Sequence, residues 1–239
     1  MSQIISQSNV LAEHIYQKLK QEIFDFYLLP HDRFTETQIA ERFEVSRTPV
    51  RDALYRLQRE GYLDVAFRRG WTVRPLDFSR IDNLYDLRVV LESAAVDRIC
   101  ARADTPAKLT ALGRIWLVAE AERESAPSVV SEMDENFHID LVASSGNLEM
   151  LRVHREVTEH IRIVRRLDFF KSARVDHTYD EHCRILNALF RRKRDDALLM
   201  LRAHIEQSKI EVRKISLSML ADARQRHQQP TAGTDSNDG

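Results

Sequence analysis

The chain has 239 residues, 43% of them hydrophobic and 31% charged, which is the make-up of a water-soluble globular protein with room for one large or two modest cores. Six glycines and six prolines in that length argue against β-sandwich or loop-rich architectures, and no apolar run is long enough to span a bilayer. Two cysteines, Cys100 and Cys183, lie far apart and outside any C-x-x-C pair, so no disulfide framework is expected and a reduced, cytoplasmic setting is.

The start, MSQIISQSNV, lacks a basic-then-apolar leader pattern. Residues 9–27 place Val10, Ile15, Leu19, Ile23 and Phe26 at helical spacing, with Asn9 as the expected N-cap and Pro30 beyond the end. The segment TETQIAERF reads as a short helix capped by Thr35. After a turn, a second helix begins at Arg47 with Ser46 as N-cap and Pro49 in the first turn, where a missing N–H costs nothing. Gly61 stops it. Two short strands, YLDVAF and WTVRP, then flank an Arg-Arg-Gly tip, and Pro75 closes the unit.

From Phe78 the pattern is helical to about Gln225. Six helices are expected, over about 78–102, 106–124, 128–144, 147–169, 174–191 and 195–225. The polar end, residues 226–239, is expected to be disordered. The fold class is therefore mainly α. It comprises an N-terminal winged helix-turn-helix domain over 1–75 and an all-helical antiparallel bundle over 76–225.

Net charge is −1, which alone argues against nucleic acid, but its distribution argues the other way. Between Val45 and Arg74, seven arginines face three acids, a local +4. Helix, turn, helix and wing is an arrangement that presents the second helix to the major groove of DNA. Ser46, Arg47, Thr48 and Arg51 then sit where base edges and phosphates would be. An arginine can grip guanine O6 and N7 together, worth about 1–3 kcal/mol of discrimination. Val50, Leu54 and Leu57 hold the opposite face on the core. Gly70 allows the wing tip a close approach, with Arg68 and Arg69 beside it. An amphipathic helix with solvated arginines is the plainer alternative for the helix taken by itself.

In the bundle, Asp134 and His138 stand four apart on one helix face with Phe137, Leu141 and Val142. His182 precedes Ile185, Leu186 and Leu189, and His204 lies between Leu201 and Ile205, so both fall on apolar stripes. An inward aspartate needs a partner. One Asp and three His make a nitrogen and oxygen donor set suited to Zn²⁺, Ni²⁺ or Mn²⁺, although any one of these histidines could be a hydrogen-bonded core residue. His14, His31, His154, His160, His177 and His227 are read as surface or packing residues, and Cys183 as turned away. Arg88 shares the stripe of Ile81, Leu84, Leu91 and Ala95. It pairs with Glu92 one turn on, or grips the carboxylate of a small ligand.

The stretch VSRTPVRDALYRLQREGYL…RRGWTV resembles the N-terminal domain of the GntR family of bacterial transcription regulators. That family's pattern runs VSRTPVREAL, then L-x-x-L-x-x-E-G, then a wing ending G-x-x-V. The resemblance covers about residues 10–75 and assigns Arg47, Thr48 and Arg51 as recognition-helix contacts and Gly70 as the wing contact. Two features depart from it. Thr37 stands where some members carry a contacting arginine, and Pro30-His31 replaces the usual Pro-Gly.

Residues 78–222, through LRVVLESAAV, DENFHIDLVASSGN and YDEHCRILNALFRRKRDDALLMLRAHI, resemble the FCD effector-binding domain of the FadR subfamily. The resemblance implies metal ligands at Asp134, His138, His182 and His204 and an organic-acid contact at Arg88. Six helices match the VanR-type branch better than the FadR type with its extra helix. The function implied is a homodimeric regulator, more often a repressor than an activator in this family. It would bind a palindromic operator in double-stranded DNA, with affinity controlled by a small carboxylate at the metal site. A metal-dependent helical-bundle enzyme and a pure metal sensor are the alternatives.

Overall fold

The computed structural model describes residues 2–66, 70–168 and 172–214, with side chains from 9 to 66, 70 to 165 and 175 to 214. The described residues fall into two compact units, one ending at Leu76 and the other beginning at Asp77.

The first unit opens with α1 (Ser2–Phe24), followed by β1 (Arg33–Phe34), α2 (Glu36–Phe43), α3 (Arg47–Arg59), β2 (Leu63–Ala66) and β3 (Gly70–Val73). Helix α1 runs through Asn9 to Ser2, so Asn9 is not the N-cap expected of it. The helical periodicity had no marker upstream of Asn9 to distinguish a cap from an interior residue. Thr35 caps α2 in a reciprocal box: its hydroxyl accepts from Gln38 N and the Gln38 side chain accepts from Thr35 N. Ser46 is the N-cap of α3 in backbone conformation, without a side-chain cap bond. Packing of α1 on α3 buries Ile15, Leu19 and Ile23 with Val50, Leu54 and Leu57.

The wing is a three-stranded antiparallel sheet in the order β1-β3-β2, with Leu63 opposite Val73 and Ala66 opposite Gly70. The strand β1 was not anticipated, because two residues carry no alternation. It is set up by Pro30-His31: His31 turns the chain at φ 73°, the conformation a glycine would adopt without strain, and its N–H donates to Val73 O at 2.9 Å. The expected wing residues Arg68 and Arg69 lie outside the described residues.

The second unit is an antiparallel helical bundle. Its helices are α4 (Phe78–Ala101), α5 (Ala107–Trp116), α6 (Pro127–Ser144), α7 (Leu148–Asp168), α8 (Ser172–Phe190) and α9 (Arg194–Arg213). Six α-helices are present among the described residues of this unit. The expected second helix is shorter, however. Trp116 is locked into the core against Phe137 and Tyr179, Leu117 leaves helical geometry at ψ 56°, and a 3-10 turn at Glu120–Glu122 carries the chain on. Helix α4 is central and packs on α6, α7 and α9. Its start is capped by Asp77, which accepts from Arg80 N at 2.9 Å. Near its C-terminal end the Arg192 guanidinium donates to Ile99 O at 2.7 Å, and to Asp104 O in the connection that follows at 2.8 Å. The remainder of the expected last helix, 215–225, and the tail 226–239 lie outside the described residues. Among those described, no helix is long and apolar enough to cross a membrane.

Candidate metal centre and nucleic-acid interface

Three bundle helices deliver the four donors. Asp134 and His138 come one turn apart from α6, His182 from α8 and His204 from α9, and all four are buried. One donor atom from each lies within 4.8 Å of every other. The Asp134 Oδ1 atom is 3.2 Å from His182 Nε2, 3.5 Å from His138 Nε2 and 3.8 Å from His204 Nε2, and the His138 and His204 Nε2 atoms are 3.1 Å apart. Bonds of about 2.0–2.1 Å around a tetrahedral ion place neighbouring ligand atoms roughly 3.3 Å apart. The cluster has that scale.

Carboxylates behind the rings set their direction. His138 Nδ1 donates to Glu92 Oε2 at 2.7 Å, and His204 Nδ1 donates to Glu181 Oε2 at 2.7 Å. With protons on both Nδ1 atoms, the two Nε2 lone pairs face each other at 3.1 Å. That arrangement calls for a shared proton or a cation between them. His182 is stacked on Phe137, with centroids 3.6 Å apart and planes 7° from parallel, and meets the Trp116 ring edge-on at 4.2 Å. Asp134 offers Oδ1 to the cluster while Oδ2 receives the buried Arg165 of α7. The donor chemistry, the inward lone pairs and the spacing all fit a divalent ion of the Zn²⁺, Ni²⁺ or Mn²⁺ kind.

Glu92 is the hub of the surrounding network. Its Oε1 accepts from Arg88 Nε at 2.6 Å and from His154 Nε2 at 3.0 Å, while Oε2 takes His138. Burial disfavours a charged carboxylate there. Electrostatic attraction from the His138 ring and the Arg88 guanidinium, with the hydrogen bonds, outweighs it and holds Glu92 well below the usual carboxylate range. Burial pushes His154 down, consistent with a neutral ring that donates to Glu92 and accepts from the Thr158 hydroxyl at 3.4 Å. Arg88 is fully buried, and its Nη1 and Nη2 meet no hydrogen-bond partner among the described residues. A guanidinium sealed from water with its fork unused has donors open to an anionic acceptor.

Sequence pattern marks Glu92 only as a partner of Arg88 and gives no sign of Glu181, Arg165 or Trp116 at the site. His154, read as surface or packing, is buried and belongs to the network. A signal was present: Val157, Ile161, Val164 and Arg165 continue the stripe on which His154 lies.

In the first unit, Ser46, Arg47, Thr48 and Arg51 all lie exposed at the N-terminal end of α3, while Pro49 and Val50 turn inward. The structure adds Glu36 of α2. Arg47 Nη2 and Arg51 Nη2 each donate to its Oε2 at 3.0 Å. Gly70 begins β3, where a Cβ would lie 3.4 Å from Phe34 O. Thr37 is exposed beside Glu36.

Comparison with known proteins agrees with both units. Residues 11–73 match the model of bacterial regulatory proteins of the gntR family, and residues 83–207 match the FCD domain. The Nta operon transcriptional regulator of Aminobacter aminovorans is 35% identical over 182 residues, 76% of this chain and 85% of the relative. The Bacillus subtilis HTH-type transcriptional regulator YdhC is 29% identical, across 79% of this chain and 85% of its own length. The crystal structure of a GntR transcriptional regulator from Rhodococcus sp. RHA1 superposes with a TM-score of 0.68 at 22% identity, covering 86% of this chain and 98% of that one. These families and relatives are regulators, not enzymes.

Proposed function

The chain belongs to the GntR family of bacterial regulatory proteins, a DNA-binding transcription regulator with an FCD domain, and we propose that a small carboxylate bound at a metal centre in the second unit governs its hold on DNA. In this reading residues 1–75 read a palindromic operator through Ser46, Arg47, Thr48, Arg51, Arg69 and Gly70. Residues 76–225 bind effector and join two copies. The protein acts as a cytoplasmic repressor, released from DNA when effector binds.

The observation that carries the reading is the pairing of four convergent donors with a buried, unused arginine fork one carboxylate away. Asp134, His138, His182 and His204 would hold the divalent ion, which supplies Lewis-acid positions for a carboxylate oxygen. Arg88 offers two parallel N–H donors to the same class of ligand, and Glu92 holds both Arg88 and His138 in direction. Arg165 keeps Asp134 turned so that Oδ1 faces the cluster.

Homodimerisation is supported by the outer side of α4. Leu87 and Val90 are exposed there, with Leu91 and Ala94 completing an i, i+3, i+4, i+7 apolar stripe. A two-fold dimer would present two α3 helices to half-sites on one face of DNA, and a change in their spacing costs the second half-site its contacts. Six bundle helices among the described residues favour the VanR-type branch.

The test is metal content. Purified protein should carry about one equivalent of a divalent ion per chain, and His138→Ala with His204→Ala should carry none while remaining helical by circular dichroism. Wild-type protein that binds no divalent ion in competition with a chelator contradicts the reading.

A further inference from the structure

The two arginines that open α3 are not loose side chains. Glu36 is the first residue of α2, where the helix dipole favours its negative charge and the Thr35 capping box fixes its backbone. Its side chain is 15% exposed, against 59% for Arg47 and 51% for Arg51, so the carboxylate lies beneath two outward guanidinium groups. Arg51 approaches with Nε 3.2 Å from Oε1 and Nη2 3.0 Å from Oε2, and Arg47 adds Nη2 at 3.0 Å from Oε2.

The edge used decides the consequence. Arg51 spends its Nε–Nη2 side on Glu36, which leaves the Nη1–Nη2 edge of a half-exposed side chain available to another acceptor. That edge is the part of arginine able to donate twice to the O6 and N7 atoms of guanine. A tethered but unguided arginine would settle on any phosphate within reach, because phosphate attraction carries no sequence information. The carboxylate also subtracts one charge from a pair of cations and so weakens that indiscriminate attraction. Hydrogen bonds from Arg51 first, and then from Arg47, hold Glu36 below the usual carboxylate range, so it is ionised at neutral pH.

We propose that Glu36 is a positioning and specificity-determining residue of the DNA interface, fixing the rotamers of Arg47 and Arg51 so that they meet base edges instead of ranging over the backbone. The inference rests on the reading of α3 as the recognition helix.

The experiment uses full-length wild type, Glu36→Gln and Glu36→Asp. Each is taken through selection from a random duplex pool. Its affinity is then measured for the wild-type-selected duplex and for a shuffled duplex of equal length and composition, and its thermal midpoint is recorded. Glu36→Gln should bind the shuffled duplex more tightly and lower the specific-to-shuffled ratio by roughly tenfold. Base preference should flatten at one position in each half-site while the midpoint holds, and Glu36→Asp should restore part of the ratio. An unchanged motif and ratio in Glu36→Gln overturns the proposal. So does an equal loss on both duplexes with a lowered midpoint, which would mark Glu36 as structural only. Failure of wild type itself to select a motif would instead overturn the recognition-helix reading, and this inference with it.

Discussion

Glu92 on α4 and His138 on α6 meet through a 2.7 Å hydrogen bond between Oε2 and Nδ1, with both side chains fully buried. Because the histidine proton is drawn to Nδ1, the Nε2 lone pair faces Asp134, His182 and His204. The second Glu92 oxygen holds Arg88 and His154, so one carboxylate fixes the direction of a metal-ligand candidate and of an anion-receptor candidate together.

Glu92→Gln keeps the side chain's shape and removes its charge. Divalent-ion affinity should fall about 10- to 100-fold, the usual cost of losing a carboxylate behind a ligating histidine. The thermal midpoint should drop as well, since Arg88 stays buried without its counter-charge, a loss of roughly 3–5 kcal/mol when one partner of a buried pair is removed. Competition with a fluorescent chelator reads the affinity. An unaltered value would detach Glu92 from the metal centre.

Trp116 lies with its ring centroid 4.2 Å from that of His182, whereas the other tryptophan, Trp71, packs on Tyr55 in the first unit. In Trp71→Phe, titration with Ni²⁺ should quench the remaining emission and saturate at about one ion per chain. In Trp116→Phe the same titration should leave emission flat. Quenching confined to Trp116→Phe would place the ion elsewhere.

Arg88 separates an effector-controlled regulator from a pure metal sensor. Arg88→Lys retains positive charge beside Glu92 but loses the planar fork. Metal content should stay at the wild-type level, while any weakening of DNA binding by carboxylates should disappear. A full carboxylate response in this variant removes Arg88 from the ligand site.

How much of this was legible in the sequence depends on whether the signal was periodic. The four donor residues stand on apolar stripes of three helices, and stripe position alone was enough to expect them indoors. Glu181 and Arg165 were not anticipated, because what they touch comes from other helices: Glu181 on α8 reaches His204 on α9, and Arg165 on α7 reaches Asp134 on α6. Glu36 escaped for the same reason. An acid in the first turn of a short helix looks like a dipole complement until α3 is packed against α2. The early end of α5 and the two-residue β1 left no pattern to read, being set by the anchoring of Trp116 and by the turn at His31.

Acid should expose a separate network in the first unit. Glu60 accepts from Lys20 Nζ at 2.8 Å, Tyr16 Oη at 2.7 Å and Arg56 Nε at 3.2 Å. Burial opposes its charge, and these partners outweigh burial, so its folded pKa is lowered. A depressed carboxylate contributes its stability above the unfolded value of about 4.3 and loses it as pH falls through the lower folded value. Because the Glu60 side chain is 30% exposed, the effect is modest. Below about pH 4.3 the wild-type midpoint should therefore decline more steeply than that of Glu60→Gln. Parallel curves would show that Glu60 does not carry the acid sensitivity.

The central claim, that ligand at the metal centre controls DNA binding, is tested most directly by fluorescence anisotropy on a selected duplex. Metal-loaded wild type is titrated with a panel of mono-, di- and tricarboxylates, beside chelator-stripped protein. At least one carboxylate should weaken DNA binding by metal-loaded protein and have no effect once the ion is removed. DNA affinity that is indifferent to every carboxylate and to metal removal would contradict the claim.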